Sequence, residues 1–180
     1  MVSSVHNLRR AIFGIALVFT LAAGMSVQAA QPADPAADKS ADRILGTWVT
    51  EGGKSHVEIV QQTGIYAGHI SWLEEPVYPA DDKQGMAGQP KIDRENPDTA
   101  LRSRPIIGLP LVSGFRYADD DVWEDGRIYD PESGKTYRCK MTLLPDGSLK
   151  VRGYVGISLF GRTTIWTRLP AAVPGSPLTS

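Results

Sequence analysis

The stretch from Tyr137 to Val155 constrains the fold of this chain more than any other. Tyr137, Cys139, Met141 and Leu143 alternate with Arg138, Lys140 and Thr142, the period of two expected when one face of a strand is buried and the other is wet. Pro145-Asp146-Gly147-Ser148 then supplies turn chemistry, and Leu149, Val151, Gly153 and Val155 alternate with Lys150, Arg152 and Tyr154. An antiparallel hairpin follows.

The same pattern recurs along the chain. Val57 and Ile59 pair by period with Ile65 to Leu73 across Gln62-Thr63-Gly64. Ile106 to Tyr117 and Val122 to Tyr129 flank the acidic turn Ala118 to Asp121, and Asp130-Pro131-Glu132-Ser133-Gly134 leads into the strand at Lys135. With Leu45 to Thr50 and Arg162 to Leu169, the count is eight. Only Glu74 to Pro105 is long and irregular; within it, Asn96-Pro97 is placed to cap a short helical turn ending near Leu101. The expectation is an all-β fold: one eight-stranded, mostly antiparallel up-and-down barrel with one long loop, or alternatively a β-sandwich.

The N-terminus reads as an address. Arg9-Arg10 precedes an uncharged apolar run from Ala11 to Ala23, and Val27-Gln28-Ala29 carries small side chains at −3 and −1, the layout of a secretory signal peptide cleaved after Ala29. The run spans only about 20 Å, short of a bilayer core of about 30 Å. The arginine pair also faintly resembles a twin-arginine signal. Residues 30–43 then read as a disordered linker, 44–169 as the domain and 170–180 as a disordered tail, on composition. These features place the product in the periplasm or outside the cell, with no membrane span after cleavage.

Loss of Arg9 and Arg10 leaves 17 basic against 20 acidic side chains, a net charge of −3. That balance argues against nucleic acid as a partner, which would call for a basic stripe. The single cysteine, Cys139, permits no intrachain disulfide.

Asp42 to Trp48 opens the first strand and Trp166-Thr167-Arg168 closes the last. This resembles the calycin pattern, in which a Gly-x-Trp motif packs beneath a basic side chain of the final strand; Gly46, Trp48, Trp166 and Arg168 would then close a lipocalin-like barrel. The chain more closely resembles a family of exported bacterial proteins of unknown function, DUF2147. The matching pieces are Gly46-Thr47-Trp48, Ile70-Ser71-Trp72-Leu73, Asn96-Pro97-Asp98 with Leu101 to Pro105, Tyr129-Asp130-Pro131 with Gly134 to Tyr137, and Val151 to Gly156 through Gly161-Arg162-Thr163 to Arg168. The resemblance implies an export signal and a lipocalin-like barrel, and it transfers no catalytic residues.

Candidate chemistry is sparse. His56, His69 and Cys139 do not make a metal site, and no metal or other cofactor is expected. Glu58 opposite His69 is either an acid/base couple or a solvated cross-strand pair. Asp93, Glu95, Asn96 and Asp98 lack the central glycine of an EF-hand. Ser158 lies in Gly156-Ile157-Ser158-Leu159-Phe160-Gly161, which is not a nucleophile elbow. Arg102, Arg104 and Arg162 would form an anion site if they converged; otherwise Arg102 or Arg104 pins the long loop through Asp98 or Asp130. Tyr66, Trp72, Trp123, Tyr137 and Met141 either line a small-molecule cavity or fill the barrel themselves. Two function classes remain: a module binding a small apolar or amphipathic molecule, with an anionic end met by arginine, or a structural or interaction protein of the cell envelope. An enzyme ranks behind both, and the oligomeric state is left open.

Overall fold

The computed structural model describes residues 40–156 and 161–170. In chain order the strands are β1 (Gly46–Val49), β2 (Ser55–Gln62), β3 (Ile65–Leu73), β4 (Pro110–Tyr117), β5 (Val122–Asp130), β6 (Lys135–Leu143), β7 (Leu149–Tyr154) and β8 (Gly161–Arg168). Each pairs antiparallel with the next, and β8 returns to β1, so the sheet closes into an up-and-down barrel. Closure leaves no edge strand and excludes the sandwich. The expected leader, residues 30–39 of the linker, residues 171–180 of the tail, and Ser158 with its neighbours Leu159 and Phe160 lie outside the described residues.

Alternation decides which side chains enter the barrel. In β6, Cys139, Met141 and Leu143 are buried while Arg138 is exposed; in β7, Leu149 and Val151 are buried. The β2–β3 hairpin turns on Thr63 and Gly64, with φ of 51° and 77°. Two consecutive positive φ values match the right-handed twist of the flanking strands, at some cost for the branched Thr63.

The barrel is locked where its ends meet. Trp48 of β1 stands opposite Arg168 of β8, whose guanidinium lies 4.2 Å from the centre of the Trp48 ring. The same guanidinium donates to the Leu45 carbonyl at 2.7 Å and to the Arg43 carbonyl. Gly46 has φ of 113°, and a Cβ there would stand 3.1 Å from Arg168 Nη1, so the position favours glycine on both counts.

One half of the barrel is filled. Trp48, Trp123, Tyr66, Phe115, Met141 and Leu149 are fully or almost fully buried in one cluster, with Tyr66 edge-on to Trp123 at 6.3 Å. Residues 40–43, expected as the end of a disordered linker, are instead ordered under this half. Ile44, at the end of the 3-10 turn Asp42–Ile44, is buried, Trp48 Nε1 donates to its carbonyl at 2.8 Å, and Arg43 pairs with Asp121 at 2.5 Å. Apolar burial of Ala41 and Ile44 overrides the polar composition that suggested a linker.

The segment between β3 and β4 is a strap tied by the bridges Val77↔Pro90 and Ile92↔Pro105. Its short helical turn, Thr99–Leu101, is capped by Asp98, whose carboxylate accepts from the Ala100 amide at 3.0 Å; Asn96 serves one step earlier, accepting from the Asp98 amide at 2.9 Å. Strand β4 begins at Pro110, not Ile106. Residues 106–109 form a turn, with Leu109 N–H donating to the Ile106 carbonyl, and Ile106 and Leu109 pack on Ile70. No helix among the described residues is long and apolar enough to cross a membrane.

Candidate functional site

The other half of the barrel is hollow. Three inward positions carry glycine: Gly68 in β3, Gly126 in β5 and Gly153 in β7. Neighbours fill the first two, since a Cβ on Gly126 would strike the Phe115 ring and one on Gly68 would meet Val112 and Val57. At Gly153 the nearest atoms are Ile128 Cγ2 at 3.2 Å and Tyr137 Cβ at 3.8 Å, and the space beyond stays open. The resulting cleft continues outward to strap residues such as Tyr78 and Asp82, has a volume of about 1180 Å³, large enough for a small ligand, and is open at its mouth among the described residues.

Cross-strand register sets its lining. Val151 stands opposite Thr164, Gly153 opposite Arg162, and Ile128 opposite Tyr137. The floor is apolar, from Ile70, Ile128, Val151 and Trp166, with the Thr164 hydroxyl and Tyr137 above it. Arg162 is exposed at the mouth. Arg94 and Lys91 also border the cleft, but Arg94 binds Asp82 at 2.7 Å and lies 4.2 Å from the Tyr78 ring centre, while Lys91 meets Glu75 at 3.3 Å. The Arg94 hydrogen bond, followed by the Met86 amide, holds the Asp82 carboxyl below its ordinary range. Among the described residues, no carboxylate pairs with Arg162.

Of the five aromatic and Met positions read as cavity lining, Tyr137 borders the hollow half. Tyr66, Trp123 and Met141 do not: they are the filling of the packed half. Trp72 faces outward, 42% exposed and stacked on His56 at 4.4 Å. The register moves from Val57↔Ile70 to His56↔Trp72, so Ser71 is an extra residue in β3 and the bulge reverses the facing of Trp72 and Leu73.

The three arginines do not converge. Arg102 Nε donates to the Asn96 carbonyl at 2.7 Å, and Arg104 Nη2 donates to Asp93 at 2.7 Å, so both pin the strap, through partners other than Asp98 or Asp130. Arg162 alone of the three faces the cleft.

Nothing in the sequence marks Asp93 as a hub, yet it is fully buried. One oxygen accepts from the Tyr129 hydroxyl at 2.5 Å, and the other accepts from Asn96 Nδ2 and Arg104 Nη2, each at 2.7 Å. Burial, then the bond to Asp93, pushes the Tyr129 hydroxyl up to about 12. This network fastens the strap to β5 and engages the carboxylate that a calcium ion would need. Elsewhere, Glu58 faces His69 at 3.5 Å on the outer wall, with side chains 48% and 39% exposed, which makes a solvated pair without a cleft. Among the described residues, no three His, Cys, Asp or Glu side chains gather in a metal-binding arrangement.

The family model for an uncharacterized protein conserved in bacteria, DUF2147, matches residues 46–168, from the glycine of the barrel lock to its arginine. The chain belongs to this family. A solved structure, protein HP1028 from the human pathogen Helicobacter pylori, described as belonging to the lipocalin family, aligns with a TM-score of 0.58 and 24% identity, over 70% of this chain and 82% of that one. This likeness shows the shared barrel. No curated protein matches the DUF2147 chain.

Proposed function

We propose that this DUF2147 protein is exported to the periplasm or beyond, with its leader cleaved after Ala29, and there binds one small amphipathic molecule in the hollow half of its barrel. The observation that carries the reading is the polarity of that half: an apolar floor of Ile70, Ile128, Val151 and Trp166 leads up to Arg162 at the mouth. An apolar chain on the floor removes its surface from water, and an anionic head beside Arg162 forms a charge-assisted bond. The lipocalin description of the Helicobacter protein supports the reading by analogy of fold.

Titration with cis-parinaric acid, a fluorescent carboxylate probe, and with the corresponding alcohol tests it. The acid is expected to bind and to be displaced by unlabelled fatty acid. Arg162→Glu is expected to weaken the acid about tenfold or more and to leave the alcohol nearly unchanged. Ile128→Trp, which adds bulk to the cleft, is expected to weaken both. Absence of saturable binding, or equal loss of both probes in Arg162→Glu, overturns the proposal.

A further inference from the structure

Strands β1, β2 and β3 contain no lysine or arginine, whereas β5 to β7 place five of them on the outer wall: Arg127, Arg138, Lys140, Lys150 and Arg152. Their outward facing follows from alternation, because Cys139, Met141, Leu149 and Val151 between them are buried. Register brings the cations together. Arg127 stands directly opposite Arg138, Lys140 opposite Arg152, and Lys150 follows Arg152 at the next outward position of β7. Like charges directly opposite across a sheet are destabilising, so this arrangement costs the fold stability.

Among the described residues, carboxylates offset this charge only in part, and none is paired with Arg127, Arg138 or Lys150. Glu124 and Asp125 sit together at the β5 bulge, where Glu124 meets Lys140 at 3.6 Å and also stands opposite another cation, Arg116. Arg138 leans over the Tyr154 ring at 5.8 Å, a contact that leaves its charge in place, and Arg152 donates to the Thr163 hydroxyl at 2.7 Å. The cations are spaced about 4.8 Å across strands and about 6.8 Å along them, a lattice on a convex wall and not a pocket around one anion. One apolar side chain borders the lattice: Ile165, opposite Lys150, is 38% exposed, whereas Val155 follows the parity of Val151 and Gly153 and lines the cleft.

We propose that this β5–β7 wall docks on the surface of a bilayer containing anionic phospholipid. An extended array of cations matches an extended array of headgroup phosphates, and Ile165 is placed to enter the interfacial layer. Ile165 separates this partner from nucleic acid, which offers no apolar layer to receive that side chain. The proposal is independent of whether the barrel carries a ligand.

Co-sedimentation with vesicles of phosphatidylcholine, with and without phosphatidylglycerol, tests it. Binding is expected only to the anionic vesicles, and is expected to fall when salt shortens the screening length to about 3 Å. The double substitution Arg127→Glu/Arg138→Glu is expected to lower the partition coefficient at least about tenfold, since each basic residue near such a surface adds about a factor of five. Arg127→Lys/Arg138→Lys is expected to retain binding, and thermal melts establish that each variant is folded. If the reversal does not fold, the exposed pair Arg127→Gln/Arg138→Gln replaces it, with a smaller loss in the same direction. Equal binding to both vesicles, no binding to either, unchanged partition in the folded charge variant, or binding to duplex DNA without binding to vesicles overturns the proposal. Loss of vesicle binding with cis-parinaric acid binding intact separates this failure from that of the ligand proposal.

Discussion

The two halves of the barrel share one wall and differ in what the inward positions hold. In the packed half, tryptophans from β1, β5 and β8 meet Tyr66, Phe115 and Met141, and the ordered residues 40–44 support them from below. In the hollow half, Gly153 and Thr164 occupy inward positions of β7 and β8 just beyond the buried Val151, and strap residues such as Tyr78 and Arg94 border the space. Packing and open space are thus divided along the barrel axis. Large side chains at one end hold the closed sheet, which leaves the other end free to keep space.

Truncating one residue in each half and measuring unfolding in urea tests this division most directly. Trp48→Ala is expected to cost about 3–5 kcal/mol, whereas Tyr137→Ala is expected to cost less than about 1.5 kcal/mol. Equal losses would show that the halves are not divided as described. Next in size, Asp93→Ala strands the Tyr129 hydroxyl and the Asn96 amide, with an expected loss of about 2–3 kcal/mol and faster amide exchange in the strap than in β1.

Alkali acts on both halves more gently. Burial pushes the Cys139 thiol up to about 12 from 9.0, and Tyr129 also rises to about 12 from 10.0. Both groups keep their protons in the fold after the unfolded chain has lost them. Their contribution is therefore whole below about pH 9 and is lost as pH rises toward about 12. Melting temperature is expected to decline across that window, and Cys139 is expected to resist iodoacetamide until the packed half opens. The smallest effect is a gain: Thr63→Asn is expected to add about 0.5 kcal/mol, because asparagine tolerates the positive φ that threonine resists. Binding in the hollow half is expected to be unchanged by it.

Range decides how much of this fold and site is legible in the sequence. The strands of the Tyr137 to Val155 hairpin, the eight-strand count and the Gly46, Trp48 and Arg168 lock are all readable, because alternation and turn chemistry are local and the lock carries a motif. Trp72 is misplaced by sequence because one extra residue, Ser71, reverses an alternation that looks regular. Arg102 and Arg104 look available because their partners, the Asn96 carbonyl and Asp93, lie in a loop without periodicity. Asp93 reads in sequence only as one of four side chains in a broken calcium-loop pattern. Only its contact with Tyr129, 36 positions away, makes it the anchor of the strap.

The meeting of Trp48 and Arg168 also bears on how the molecule is made. The lock joins the first strand to the last, so a partial chain holds neither the cation that covers Trp48 nor the strand that completes the wall, however much has emerged from the ribosome. Bringing such distant segments together carries the entropy cost of a long closing loop before any contact repays it, the situation associated with slow, cooperative folding. Until β8 arrives, β1 and β7 are open edges that other chains can join, and the final few residues of the domain act as the latch against misassembly.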